Sequence, residues 1–398
     1  MNNFSKNILE DSNIRGVYLF PILWNRPALM NILELLRIFI HRLFVVVHTE
    51  KEVLLLSIIK DAPSNIKVLN RRRYCNVLRY NYFLKYYVYP VFLFFKIHRN
   101  VDTILLVQNF NFPLFLIILS KILRKNVFVY IGGYPIQILS ATIPFGSLLQ
   151  KILTSWLIIQ MKLALHFADK IILISRRLSN DISFSKHRNK ICVAMNFPSR
   201  NFYATFKNEK KILDRELAVG YVGAFAVHKG FYNFLKAIPY VLNSNPNVKF
   251  IIAGDKQSFS PIALKCVLQQ LLIAYPKNVI FYGYVSHKEL PKYLNNIRLL
   301  VLPSYTEGIP HIILEAMSCG TPVLATPVGG VMDVVNDNVT GFILQRRDPK
   351  FIASKVLQLL NDSNTLKEIS SNAHNFIKRN FNFEKTLKQW LEIFKSKC

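Results

Sequence analysis

The sequence predicts an α/β protein made of two doubly wound domains. Three observations carry that expectation. At 398 residues the chain is long for one core and comfortable for two. Hydrophobic residues make up 51% of it, enough for two interiors. Short apolar runs alternate with stretches of helical period throughout, as parallel strands alternate with crossover helices.

In the first half, Gly16 to Ile22 reads as a strand and Pro27 to Ile40 as a helix. Leu43 to Val47, Thr103 to Val107 and Asn126 to Ile131 read as further buried strands. The last ends at Gly132-Gly133-Tyr134-Pro135. A glycine pair at the carboxyl end of a strand lets a ligand approach the backbone, so Gly132 and Gly133 are candidates for a phosphate or acceptor loop; an ordinary turn fits them equally. Ser147 to Phe167 is helical in pattern, and Lys170 to Ile174 is a strand ending at Ser175-Arg176. Residues 1–200 form the first domain. The polar, lysine-rich stretch from Asn201 to Leu213 reads as part of a linker over 201–216.

The second domain, 217–382, opens with a strand over Leu217 to Phe225, a loop reaching Lys229-Gly230 and a helix over Tyr232 to Leu242. Lys229 thus sits between a strand end and a helix, where it can meet a diphosphate. Val248 to Ala253 is a strand, Pro261 to Ala274 a helix and Glu289 to Leu294 a short helix. Pro349 to Leu360 and Leu366 to Arg379 are helical, and an amphipathic helix over 383–398 ends the chain.

The most informative stretch runs from Val301 to Gly330. Leu299 to Leu302 is a buried strand stopped by Pro303, Glu307-Gly308 turns the chain, and Pro310 falls at a helix start, where proline is tolerated. Gly320 ends that helix, Thr321-Pro322 prevents its continuation and Val323 begins the next strand. Ile312, Ile313, Ala316 and Met317 share one helical face and should pack on the sheet, with Glu315 on the opposite side beside His311. Glu307 and Glu315 then bracket a helix N-terminus that favours an anion. Glutamates near helix starts are also common caps. The pair together suits a ligand with hydroxyls at both ends and a phosphate between, as in a nucleotide sugar.

Taken as a set, Glu307-Gly308-Ile309-Pro310-His311, Glu315, Gly320-Thr321-Pro322-Val323, Pro327-Val328-Gly329-Gly330 and Asn338-Val339-Thr340-Gly341-Phe342 resemble the donor-binding half of glycosyltransferase family 4, group 1, of GT-B type. The resemblance covers residues 217 to 345, and less fully 168 to 198, where Ala168-Asp169-Lys170 through Ser175 and Asn196-Phe197-Pro198 also match. It implies two Rossmann-like domains facing a cleft, with the final helix returning to the first. It also implies a retaining hexosyltransferase. Glu315 would accept from ribose hydroxyls, and Glu307, the catalytic candidate, from hydroxyls of the transferred sugar. Lys229 would neutralise the diphosphate together with the backbone of Gly308 and Ile309, and the segment holding Tyr284 would lie against the base, with Gly223 opening the phosphate loop. Two family positions differ. Ala224 stands where arginine is usual, which leaves three readings open: a weaker donor grip, a replacement by His228 or an arginine of the other domain, or a lost activity. No histidine occupies the loop after Ile131. No general base is named, and His311 reads as a bystander.

The charge is extreme at +28, and residues 1–200 carry 27 Lys and Arg against 9 Asp and Glu. From Lys60 to Arg99 the sequence interleaves cations with tyrosines and phenylalanines and has one acid, Asp61. This composition favours an anionic membrane surface, with a solvated basic face as the plain alternative; nucleic acid is hard to square with the paired glutamates. Val88 to Ile97 and Phe110 to Leu123 are too short or too interrupted to span a bilayer. With no leader-like start and five unpaired cysteines, the expected place is the cytoplasm, peripheral on the inner face of the membrane. Nothing in the sequence calls for a metal or cofactor beyond the nucleotide sugar as substrate, and Asp-x-Asp is absent. The expected partners are a nucleotide sugar and a glycan or lipid-linked acceptor. Two other readings compete with the transferase: a nucleotide-sugar epimerase, and a binding or scaffold protein that has lost catalysis.

Overall fold

The computed structural model describes residues 17–23, 36, 40, 42–48, 53–59, 66–70, 89–107, 114–133, 148–180, 182–194, 201–254 and 262–396. Most of the helix expected over Pro27 to Ile40, Tyr134-Pro135, Asn196 to Pro198 and most of the basic stretch from Lys60 to Arg99 lie outside them. The chain divides into two compact units: Met1–Ser199 with Phe383–Cys398, and Arg200–Asn382.

The first unit is built on a sheet of β1 (Val17–Leu23), β2 (Arg42–His48), β3 (Val53–Ile59), β4 (Ile66–Asn70), β5 (Thr103–Val107), β6 (Asn126–Ile131), β7 (Lys170–Leu173) and β8 (Ile191–Val193). Their order is β4-β3-β2-β1-β5-β6-β7-β8. β2, β3 and β4 pair antiparallel, and the other neighbours pair in parallel. The β3 and β4 strands were not expected from sequence. Helices α1 (Tyr89–Ile97), α2 (Leu114–Ile122) and α3 (Leu148–Phe167) follow the alternation of the later strands. α2 joins β5 to β6 and α3 joins β6 to β7, so successive right-handed crossovers lay both on one face of the sheet. Both segments weighed as membrane spans fold here as nine-residue helices, and no helix among the described residues is long and apolar enough to cross a bilayer.

The C-terminal helix Phe383–Lys395 belongs to this unit. Phe394 meets Phe128 edge-on at 5.1 Å, and Trp390 lies 5.7 Å from Tyr130. Buried Lys170 donates to the carbonyls of Ile393 and Ser396 and to Ser396 Oγ, placing a cation at the negative end of the helix dipole.

The second unit begins with α4 (Phe202–Thr205) and continues through β9 (Ala218–Val222), α5 (Phe231–Ser244), β10 (Lys249–Ala253), α6 (Ile262–Ala274), β11 (Val279–Gly283), α7 (Leu290–Leu294), β12 (Leu299–Leu302), α8 (His311–Ser318), β13 (Val323–Ala325), β14 (Phe342–Ile343), α9 (Pro349–Asn361) and α10 (Ser363–Asn380). All six strands are parallel, in the order β11-β10-β9-β12-β13-β14. Counted within the unit this is 3-2-1-4-5-6, and the strand order reverses between β9 and β12. Tyr221, Phe225, Phe231 and Phe234 fill the core beneath α5, each ring contributing about 2–3 kcal/mol by leaving water.

The stretch expected to be a linker over 201–216 is instead part of the second unit. Its lysines face outward while Phe202, Phe206, Ile212 and Arg215 are buried. The Arg215 guanidinium donates to the carbonyls of Leu294, Ile297 and Cys319, to Thr321 Oγ1 and to Asn208 Oδ1. It therefore satisfies open carbonyls at the ends of α7 and α8. Burial lowers its pKa to about 10, which leaves it charged at neutral pH. A polar sequence conceals a clasp whose cation holds α8 in place.

Candidate functional site

In an open parallel sheet, ligands sit beyond the carboxyl ends of the strands where the strand order reverses. Here that point lies beyond β9 and β12. The loop after β9 carries Gly223, Ala224, His228 and Lys229; the loop after β12 carries Ser304 to Pro310. The two loops are locked together. Tyr305 N donates to His228 O at 2.8 Å, and a Cβ on Gly230, whose φ is +68°, would fall 1.9 Å from the Pro303 carbonyl. From the other side Gly329, at φ +57°, comes so close that a Cβ would sit 1.8 Å from the Glu307 carbonyl. Only glycine allows either approach.

The clamped loop presents Glu307 at the mouth of β12. Its carboxylate accepts from Lys229 Nζ and from Ser304 Oγ, each at 2.8 Å. The residues expected to meet the sugar and the diphosphate are thus in contact, in a partly buried ion pair. Ser304 and Arg347 escaped the sequence reading. Arg347 Nε donates to Ser304 O at 3.1 Å and its guanidinium lies 4.8 Å from the Tyr305 ring, bringing a second cation to the back of this loop. His228 lies in the same loop as Ala224; burial first and Lys229 second hold its pKa below the usual value, against an opposing pull from Glu307. Ala224 itself contributes a carbonyl, which accepts from Tyr221 Oη at 2.8 Å.

Beyond Glu307 the chain enters α8. Pro310 holds the N-cap position and has no side-chain acceptor, so the first-turn N–H groups point out with positive potential. Ile309 is buried and offers only its backbone, next to Gly308. Glu315, expected opposite the face that packs on the sheet, is itself buried. α8 is buried continuously from Ile313 to Ser318 because it packs against α7 and α10 as well as the sheet, and Glu315 is 6% exposed. It is paired: His287 Nε2 donates to Glu315 Oε1 at 2.9 Å. That hydrogen bond raises the His287 pKa, against partial desolvation. His311, one turn before Glu315, is pushed the other way by burial. His287 was missed because 28 residues separate it from Glu315; the available signal was its place four residues beyond the end of β11.

Tyr284, at that same strand end, is exposed beside Gly283, whose φ is +66° and whose carbonyl accepts from Gly254 N at 2.8 Å. Gly223 reaches across to β10, donating to Ala253 O at 3.1 Å. Gly132 and Gly133 lie at the end of β6 in the first unit, the former exposed and the latter buried. Among the described residues no three His, Cys, Asp or Glu side chains are grouped to hold a metal ion.

Residues 203–376 match the family described as glycosyl transferases group 1, which covers nearly all of the second unit. The chain is 29% identical over 232 residues to the capsular polysaccharide biosynthesis glycosyltransferase CapM of Staphylococcus aureus, covering 55% of this chain and 60% of that one. It is 28% identical over 209 residues to the poly(ribitol-phosphate) alpha-N-acetylglucosaminyltransferase of the same species, covering 52% and 41%. The chain therefore spans about half the length of the curated relatives it matches. Among solved structures, HepE of Anabaena in complex with UDP and glucose superposes with a TM-score of 0.70 at 18% identity, over 96% of this chain and all of that one. The match to group 1 glycosyl transferases thus falls within the second unit, and the chain as a whole has the GT-B fold.

Proposed function

We propose that the protein is a retaining glycosyltransferase of family 4 that moves a hexose-type sugar from a nucleotide sugar to a glycan or lipid-linked acceptor in envelope polysaccharide or glycoconjugate synthesis. The observation that carries this reading is the Lys229–Glu307 pair set beside the α8 N-terminus at the strand-order reversal. A cation, a carboxylate and a positive helix end converge there on the space a sugar diphosphate would fill. CapM, the poly(ribitol-phosphate) enzyme and HepE with its UDP and glucose support the same class of donor and a polymeric acceptor.

In this mechanism the glycosidic C1–O bond to the diphosphate breaks while an acceptor hydroxyl forms a new bond to C1 on the same face. The acceptor proton passes to a diphosphate oxygen. Lys229 and the N–H groups of Gly308 and Ile309 stabilise the charge that grows on the leaving group, the chief electrostatic task of the step. Donor binding draws Lys229 from Glu307 toward phosphate and frees the Glu307 carboxylate for sugar hydroxyls. Ser304 keeps that carboxylate oriented. Glu315 takes the ribose hydroxyls, and Tyr284 lies by the base. The residues present handle the charge without assigning a role to a metal ion.

The test is a thermal-shift screen of UDP, GDP and ADP sugars with Glu315→Ala as control. A shift with one donor, lost in a folded Glu315→Ala protein, is expected. The variant should fold, because the His287 it leaves unpaired is half exposed and can hydrogen-bond water. No shift with any donor, with anionic vesicles present as well as absent, would overturn the reading.

A further inference from the structure

The outer helices of the first unit turn large apolar side chains toward the outside. On α3, Trp156, Ile159 and Leu163 follow one another at helical spacing, exposed by 51%, 49% and 38%, while Met161, Ala164 and Leu165 are turned inward and buried. On α2, Phe115, Ile118 and Ile122 are exposed by 65%, 45% and 71%. Neighbouring α1 adds Phe92 and Phe95. These elements pack side by side, α1 on α2 and α2 on α3. Ten of the eighteen exposed large apolar side chains among the described residues lie on these three helices, and five of the other eight are tyrosines. Scattered apolar residues are ordinary on a surface; a contiguous face marks a partner.

Charge selects which partner. Between Asp102 and Asp169 the sequence has five Lys or Arg and no Asp or Glu. Lys162 is exposed on α3 at the border of the apolar stripe, and Arg124 is exposed just past α2. Lys121 at the end of α2 is already paired with Asp169, at 2.6 Å, which leaves Arg124, Lys125, Lys151 and Lys162 as the excess, with Arg124 and Lys162 exposed. A second copy of the chain docked face to face would set these cations against their counterparts with no carboxylate on the three helices to pair them. Lipid phosphates meet the same cations favourably.

We infer that the α1–α2–α3 face is a docking surface for an anionic lipid bilayer. The helices lie in the interface plane, Trp156 sits at headgroup depth, the aliphatic and phenyl side chains enter the acyl boundary, and Lys162 and Arg124 meet lipid phosphates. This deepens the acceptor side of the proposed function and is tested without turnover.

The experiment is vesicle flotation of the full chain with phosphatidylcholine alone and with phosphatidylcholine mixed with phosphatidylglycerol. Two double variants, Trp156→Glu with Ile159→Glu and Ile118→Glu with Ile122→Glu, probe two helices, so a folding failure in one leaves the other as the test. Ile273→Glu, at an exposed position of the second unit, is the control. The wild type should float with the mixed vesicles, less with neutral ones, and less at high salt. Each double variant should partition about tenfold more weakly or worse, with the control unchanged. Wild-type protein that stays in solution with both vesicles, binding indifferent to anionic lipid, or double variants that bind as wild type would overturn the inference. So would a dimer that the double variants split. The donor-induced thermal shift, read on the same proteins, depends on the second unit, so failure of the donor reading and failure of this one are separately visible.

Discussion

Compared side by side, the two units place their chemistry on different parts of a similar plan. In the second, Lys229, Glu307 and the α8 N-terminus gather at strand ends, and the large aliphatic and phenyl side chains are mostly turned inward. In the first, the described strands β5 to β7 are just as buried, but large apolar side chains also cover the outer helices. A concave cluster of charge at a strand-order reversal recognises a small charged ligand. A broad apolar face rimmed by cations recognises something extended. The donor and acceptor roles of a transferase would divide between units in that way.

The largest expected effect breaks the comparison at its charged end. Glu307→Gln keeps the shape of the side chain and removes the charge that Lys229 and Ser304 hold in place. Turnover, followed as nucleoside diphosphate released with a membrane extract as acceptor source, should fall by about 10²–10³-fold, the scale of losing one preorganised electrostatic contact. Donor affinity should change far less. A variant with wild-type turnover would remove Glu307 from the mechanism.

Next in size is a pair of buried cations, one in each unit. Arg215 satisfies carbonyls at the ends of two helices, and Lys170 satisfies carbonyls at the end of the C-terminal helix. Arg215→Met should destabilise the second unit by about 3 kcal/mol, since several buried acceptors lose their donor at once; Lys170→Met should cost the first about 1–2 kcal/mol. Hydrogen exchange resolved by peptide separates the two. Equal loss of protection in both units from either variant would contradict their independence as compact bodies.

The sequence showed four of the six strands of the second unit, β9, β10, β12 and β13, because each is a short apolar run with glycine or proline within two residues of its end, a local signal. The two-residue β14 is too short to give one. The same locality exposed Lys229 and the two glutamates. What it hid was long-range. Glu315 was read as lying opposite the apolar side, but its burial was not legible, because spacing reports one helix's own faces and only packing against α7 and α10 buries the second face. Arg215 was hidden in a lysine-rich stretch because composition does not show which cation turns inward. The β3–β4 antiparallel edge was missed because a continuous apolar run such as Val53–Ile59 has no periodicity to separate strand from buried helix.

The smallest expected effect concerns His287, and it sharpens the assignment of Glu315. The hydrogen bond to Glu315 raises the His287 pKa above its ordinary 6.5. A histidine whose folded pKa is raised contributes stability that is fully present below the unfolded value and is lost as pH rises through the folded one. The side chain is 50% exposed, so solvent screening keeps the contribution below about 1 kcal/mol. Donor binding should run in the opposite direction. Protonated His287 holds the carboxylate that ribose hydroxyls would use, so donor affinity should rise as pH climbs from 6.5 through the folded pKa, while stability without donor falls. Titration of donor affinity and of the unfolding midpoint across that window, with His287→Ala alongside, checks both slopes. In the variant the His287-dependent part of each slope should disappear. If stability keeps its slope in the wild type but donor affinity is flat, the pair is structural and Glu315 does not take the ribose.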